Sequence, residues 1–182
     1  MRMYDPHPDS IVNLMSRRDA RTNSDWIKVM LDTYHDRRTA YTFSVTAAGV
    51  RLDYYHATDS ETDRDSDWNP VWEAATDIDS LGWSAEFRIP FNQLRFSSVD
   101  LQEWGVNVVR RVPDRNEQSY WVLVRRTENG WSSRMGALTG IGGIRPPRGV
   151  VLLPYVAADS RMAAVTDRAN PFQHAYANAA RV

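Results

Sequence analysis

The sequence contains no cysteine. Disulfides, thiolate metal sites and cysteine nucleophiles are therefore excluded, and neither an oxidising nor a reducing compartment is favoured. Lysine is almost as scarce: Lys28 stands alone, and arginine supplies the other cations, with adjacent pairs at Arg17-Arg18, Arg37-Arg38, Arg110-Arg111 and Arg125-Arg126. Guanidinium groups suit carboxylate pairing and ring stacking, although GC-rich coding produces the same bias. No apolar run approaches the roughly 20 residues of a membrane-spanning helix. The opening MRMYDPHPDS lacks the apolar core of a secretion signal; it reads as the tail of a strand entering a Pro-rich turn, so a clipped, longer chain is expected.

Catalytic signatures are also missing. There is no Gly-x-Ser-x-Gly elbow, no His-Glu-x-x-His and no Walker loop, and GIGGIRP lacks the spacing of a dinucleotide turn. His7, His35, His56 and His174 stand apart from one another and read as surface histidines. Glu73, Glu86 and Glu103 could serve a glycosidase, but Glu86 points away from the Trp83/Phe87 face and nothing pairs with it. The expectation is a chain without enzymatic activity. A formal net charge of -1 over 182 residues gives no reason to expect nucleic acid as a partner.

What is present is alternation. In DWIKVMLDTY, Ile27, Val29 and Leu31 share one face and Trp26, Lys28 and Met30 the other, the period-2 pattern of a strand. HDRR separates it from TAYTFSVT, a second strand, and AAG leads into VRLDYY, where Val50, Leu52 and Tyr54 oppose Arg51, Asp53 and Tyr55. VWEAATD, a turn at DSLG and WSAEFRIP follow, the last with Trp83, Ala85, Phe87 and Ile89 on one face. WGVNVVRRV, SYWVLVRR and ENGWSSRMGAL complete about seven or eight short strands, the spacing expected of an all-β sandwich or barrel. Helical spacing is confined to PDSIVNLMSRRDA, where Ile11, Leu14 and Met15 fit barely two turns; Asn92 could cap one further turn. Glycine, proline and arginine replace the alternating aromatics from TGIGGIRPPRG onward. This predicts a sandwich over residues 1–139 and, over 140–182, a linker with the start of another region: VVLLPYVAADSRMAAV could add a strand, and TDRANPFQHAYANAARV has no periodicity.

Two features carry candidate chemistry. The run HATDSETDRDSD places Asp59, Glu61, Asp63 and Asp65 at every second position. It reads either as a solvated, mobile loop or as a weak structural calcium site made of hard oxygen ligands. Aromatic side chains are the stronger signal. Trp83 is in phase with Phe87 and Ile89 and belongs to the core, and Trp72 is expected to join it. Trp26 lies opposite the apolar stripe of its strand, Trp68 sits at the rim of the acidic loop, and Trp121 follows the polar run Arg115, Asn116, Glu117, Gln118. A sugar presents a C–H face to an indole while its hydroxyls bond to Asn, Gln, Arg and carboxylate groups, and RNEQSYW holds that mixture. The alternative for each of these residues is packing at the edge of the core.

SDWIKVMLDTYHDRRTAYTFSVTAAGVRLD, WNPVWEAATDIDSLGWSAEFRIPFNQLRF, WGVNVVRRVPDRNEQSYW and LTGIGGIRPPRGVVLLPYV together resemble the N-terminal domain of large bacterial outer-membrane proteins. That domain is similar to family 9 carbohydrate-binding modules and precedes a β-barrel domain. The resemblance implies an antiparallel β-sandwich of jelly-roll type in the periplasm or at the outer membrane, with a C-terminal barrel as its intramolecular partner. It also implies an oligo- or polysaccharide ligand, structural calcium, and an association with polysaccharide breakdown or uptake through glycoside hydrolases. Family 9 modules clamp a sugar between two tryptophans; the corresponding expectation here is Trp121 with Trp26 or Trp68. Its rival is a structural domain that caps or docks onto the barrel without binding sugar. A heme-binding relative of the sandwich would need axial ligands, and neither Met30 nor His56 has an evident partner.

Overall fold

A computed structural model describes residues 1–125 and 127–147, together with the backbone of two strands at Asp159–Ala164 and Tyr176–Arg181. The chain divides into two compact units, Met1–Arg148 and Gly149–Val182. The first is an all-β, antiparallel sandwich. Its strands are β1 (Arg2–Tyr4), β2 (Trp26–Asp32), β3 (Ala40–Thr46), β4 (Arg51–His56), β5 (Glu73–Asp79), β6 (Gly82–Arg88), β7 (Leu101–Val112), β8 (Glu117–Tyr120) and β9 (Gly136–Gly142). β9 continues past residue 139 and pairs with β7.

A three-stranded sheet in the order β1-β6-β5 packs against a six-stranded sheet in the order β4-β3-β2-β7-β8, with β9 also on β7. Between them lies a core containing Tyr41, Phe43, Trp72, Leu94, Phe96 and Trp104, and beside it Ile27, Val45, Trp83 and Ala85. Trp83 is fully buried, as its phase predicts, and Trp72, whose phase is ambiguous, is fully buried with it. Burying indoles of this size contributes on the order of 3 kcal/mol or more each. Trp72 stacks on Phe87 at 5.7 Å and meets Phe43 edge-on at 5.2 Å. The β5–β6 turn needs Gly82, whose φ of 131° and close approach to the Met3 carbonyl leave no room for a side chain.

Several local expectations give way to tertiary context. The weak helical pattern after Pro8 becomes a single 3-10 turn at Pro8–Ser10 followed by irregular chain, because two turns of apolar spacing cannot offset helix nucleation. The turn near Asn92 is Phe91–Gln93, entered through Pro90 rather than capped by the asparagine. SYWVLVRR is strand only through Tyr120, and the Asn129-Gly130 pair leads to a short 3-10 turn, Ser132–Arg134, rather than a hairpin.

In the second unit β10 (Asp159–Ala164) lies within the stretch expected to add a strand. It pairs antiparallel with β11 (Tyr176–Arg181), where no periodicity is visible. YANAAR is poor in β-branched residues, and its strand state comes from hydrogen bonds to a partner outside its own segment. Among the described residues, no helix is long and apolar enough to cross a membrane.

Candidate functional site

The six-stranded sheet is apolar on both sides, but in different ways. Its inner face carries Val29, Phe43 and Val45 into the sandwich. Its outer face carries a small second core of Met30, Ala40, Val109 and Trp131. Beside that core the register aligns Trp26 with Thr46 and Arg111, and Lys28 with Ser44 and Val109. A cleft of about 250 Å3 opens there. Trp26, Lys28, Ser44, Thr46, Leu52 and Tyr54 lie on the sheet side, Gln118 comes from β8, and Arg21, Thr22, Glu61 and Arg64 from the flanking segments.

Within the cleft, Lys28 Nζ donates to Glu61 Oε1 at 2.5 Å and lies 5.3 Å from the centre of the Trp26 ring. Its side chain is only 13 % exposed. The guanidinium groups of Arg21 and Arg64 lie over the Tyr54 ring at 5.7 and 5.3 Å. Gln118 Nε2 donates to the Tyr120 hydroxyl at 2.7 Å. The arrangement offers aromatic surface, an ammonium, two guanidinium groups, a carboxylate, hydroxyls and an amide around one opening. It contains no nucleophile–base pair and no opposed carboxylates.

The expected sugar-binding residues are not brought together. Trp26 and Gln118 line the cleft. Trp121 is on the other side of the same sheet: its N–H donates to the Val108 carbonyl, its ring lies against Gly136, and it borders an apolar groove with Met1, Ile27, Val106 and Val108. Trp68 is half-buried against Tyr41 and Phe43, at 4.8 and 5.5 Å, and belongs to the rim of the sandwich core. Neither Trp121 nor Trp68 can therefore face Trp26 across a slot.

The polar run before Trp121 is largely engaged in its own fold. Arg115 and Arg110 both pair with the buried carboxylate of Asp5, at 3.2 and 3.1 Å. Burial opposes ionisation of Asp5, but the His7 N–H and these two cations outweigh it and hold its carboxyl below the usual range. Asn116 takes a left-handed conformation in the β7–β8 turn and accepts from Arg111 at 2.8 Å. Glu117 pairs with Arg115 and accepts from Ser119.

The acidic run is built into the fold rather than simply solvated. Asp59 Oδ1 accepts from the N–H groups of Trp131 and Ser133 at 2.6 and 3.0 Å, and its Oδ2 accepts from the Ser133 hydroxyl at 2.6 Å. Glu61 pairs with Lys28, Asp63 accepts from Thr58, and Asp65 bridges to Tyr55 through its backbone. Each carboxylate faces a different partner. Among the described residues no three carboxylate or imidazole groups converge to hold a metal ion, and these four acidic side chains do not gather at one point.

Comparison with protein-family models, with curated proteins and with solved structures returns no match.

Tyr54, Arg21, Arg64, Lys28 and Ser44 are among the cleft residues that sequence reasoning did not single out as a site. Alternation did place Tyr54 and Leu52 opposite Asp53 and Tyr55, yet it cannot say which face is core. Here Asp53 turns inward, where it accepts from the Trp72 indole at 2.8 Å and from Arg18 at 2.7 Å, and Tyr54 turns toward the cleft. His56 is a further correction: it is fully buried, bonded to Thr42 and the Ser60 carbonyl, with its ring 4.2 Å from Trp131. Its isolation along the sequence concealed a non-local packing partner.

Proposed function

We propose that the sandwich binds carbohydrate without catalysis, in the cleft bordered by Trp26. The observation that carries this reading is the convergence there of Trp26 and Tyr54 with Ser44, Thr46, Gln118 and Lys28 on one sheet face. A ring stacks its C–H face on an aromatic side chain while its hydroxyls exchange hydrogen bonds with short polar groups. By the motif resemblance, the domain belongs to the periplasm or outer membrane, precedes a barrel, and serves polysaccharide breakdown or uptake. The ligand is then an oligo- or polysaccharide held through one indole rather than two.

A second reading has its own observation. The inner-face groove of Met1, Ile27, Val106, Val108 and Trp121 is mostly apolar, with Arg2 at its border, and Trp121 is 61 % exposed. Such a face suits docking onto another protein surface, which is what a domain that caps a barrel would need. Titrating oligosaccharides while following tryptophan emission separates the two. Carbohydrate binding predicts saturable changes that Trp26→Ala abolishes and Trp121→Ala leaves in place. Silence toward every glycan, with Trp121→Asp impairing assembly of the full-length protein, would favour docking.

A further inference from the structure

The charge around the cleft is at odds with the charge of the chain. The protein as a whole carries a formal net charge of -1, yet Arg21, Lys28 and Arg64 surround an opening that contains a single carboxylate, Glu61. Lys28 is neutralised by Glu61. Arg21 and Arg64 have no ion-pair partner among the described residues; both lie over Tyr54 instead. Some arginines elsewhere in the sandwich are matched, Arg110 and Arg115 by Asp5, Arg18 by Asp53 and Arg88 by Glu73, while others such as Arg37 and Arg38 are not matched among the described residues; what sets Arg21 and Arg64 apart is that both line the cleft and lie over the same ring. Two unmatched guanidinium groups converging on one ring raise the local potential and favour an anion. Their planar forks match a carboxylate geometrically, and neither guanidinium makes a hydrogen bond to another described residue, its carbon lying over the Tyr54 ring.

From this we infer that the cleft selects an acidic saccharide, a chain containing uronic acid units, with Arg21 and Arg64 receiving the ring carboxylate and Trp26 supplying the stacking surface. The inference rests on the carbohydrate reading and narrows its ligand class. Lys28 acts differently from the two arginines. Held by Glu61 and set over Trp26, it is positioned to donate to a hydroxyl rather than to supply net charge.

The test compares oligogalacturonate and oligoglucuronate with neutral oligosaccharides of equal length, by calorimetric titration of the full chain at low salt. The expected result is at least about tenfold tighter binding of an acidic oligomer, with the preference shrinking as salt is raised. Arg21→Gln combined with Arg64→Gln should lower acidic affinity at least about tenfold more than neutral affinity. Arg88→Gln, which removes a cation outside the cleft, should change neither. Equal affinity for acidic and neutral oligomers, or equal losses for both in the double variant, would overturn the acidic preference while leaving carbohydrate binding intact. Tight binding of sulfated glycans with none of uronates would overturn the carboxylate assignment. Failure of all glycans to bind would remove the underlying reading itself.

Discussion

Trp26 and Trp121 lie on opposite faces of the same six-stranded sheet. Trp26 aligns with Thr46 and Arg111 on the cleft side, whereas Trp121 is bonded beside Val108 and faces the groove of Ile27 and Val106. A two-indole clamp cannot form from this pair, however the side chains rotate, because the sheet itself stands between them. Any ring held here has one indole, and selectivity must come from the polar and charged groups around it.

Trp72 should reveal how much of the core depends on a single hydrogen bond. Its N–H shares Asp53 Oδ1 with Arg18. Trp72→Phe keeps an aromatic ring and removes the donor, with an expected loss of about 1–3 kcal/mol. Trp72→Ala also opens a cavity and should cost about 3–5 kcal/mol. Urea unfolding measures both; equal losses would mean that packing against Phe43 and Phe87 contributes little.

His56 should make stability depend on pH. Burial, reinforced by the charges of Lys28 and Arg64, pushes its imidazole below the ordinary value despite the opposing hydrogen bond to the Ser60 carbonyl. As pH falls below about 6.5 the unfolded chain takes up the proton first, so stability declines until the folded imidazole also protonates; above that window the residue contributes no slope. Burial raises the carboxyls of Asp25 and Asp32, whose effect has the opposite sign, since the folded form then binds protons first. Both remain in the His56→Gln variant, so the difference between the two proteins isolates the imidazole. Denaturant unfolding from about pH 7 to about pH 5 should give a shallower decline for His56→Gln; parallel curves would contradict a buried neutral histidine.

The loop after β4 should depend on Asp59 and not on calcium. Burial opposes ionisation of this carboxyl, but bonds from the Ser133 side chain and from the Ser133 and Trp131 backbones outweigh it and depress its pKa. Its contribution is therefore present above about pH 4 and is lost as pH falls through the lower folded value. Asp59→Ala should cost about 1–3 kcal/mol by leaving those donors unpaired. Millimolar calcium and chelator should each leave the thermal midpoint unchanged. A calcium-dependent shift that Asp59→Asn removes would restore a metal role.

Alternation of apolar and polar residues along β2, β3 and β6 made the strands legible, because side chains of a strand point alternately to its two faces, a local property of the chain; it did not show that β3 is buried on both faces. Trp83 and Phe87 could be assigned to one face without knowing what covered it. The cleft was only half legible for the corresponding reason. Lys28 visibly shared a face with Trp26, but its neighbours Ser44 and Val109 come from register, and Arg21 and Arg64 from loops folded over the sheet. Asp53 misleads in the same way: a carboxylate on a strand reads as solvent-facing until its partners, an indole and a guanidinium from distant segments, are known.

The central claim is that the Trp26 face, not the Trp121 face, holds a sugar. The direct measurement is tryptophan emission of Trp26→Ala and Trp121→Ala during titration with acidic oligosaccharides, set beside the unsubstituted protein. Saturable binding is expected, retained within about twofold in Trp121→Ala and weakened at least about tenfold in Trp26→Ala. Binding that survives Trp26→Ala and disappears with Trp121→Ala would contradict that claim.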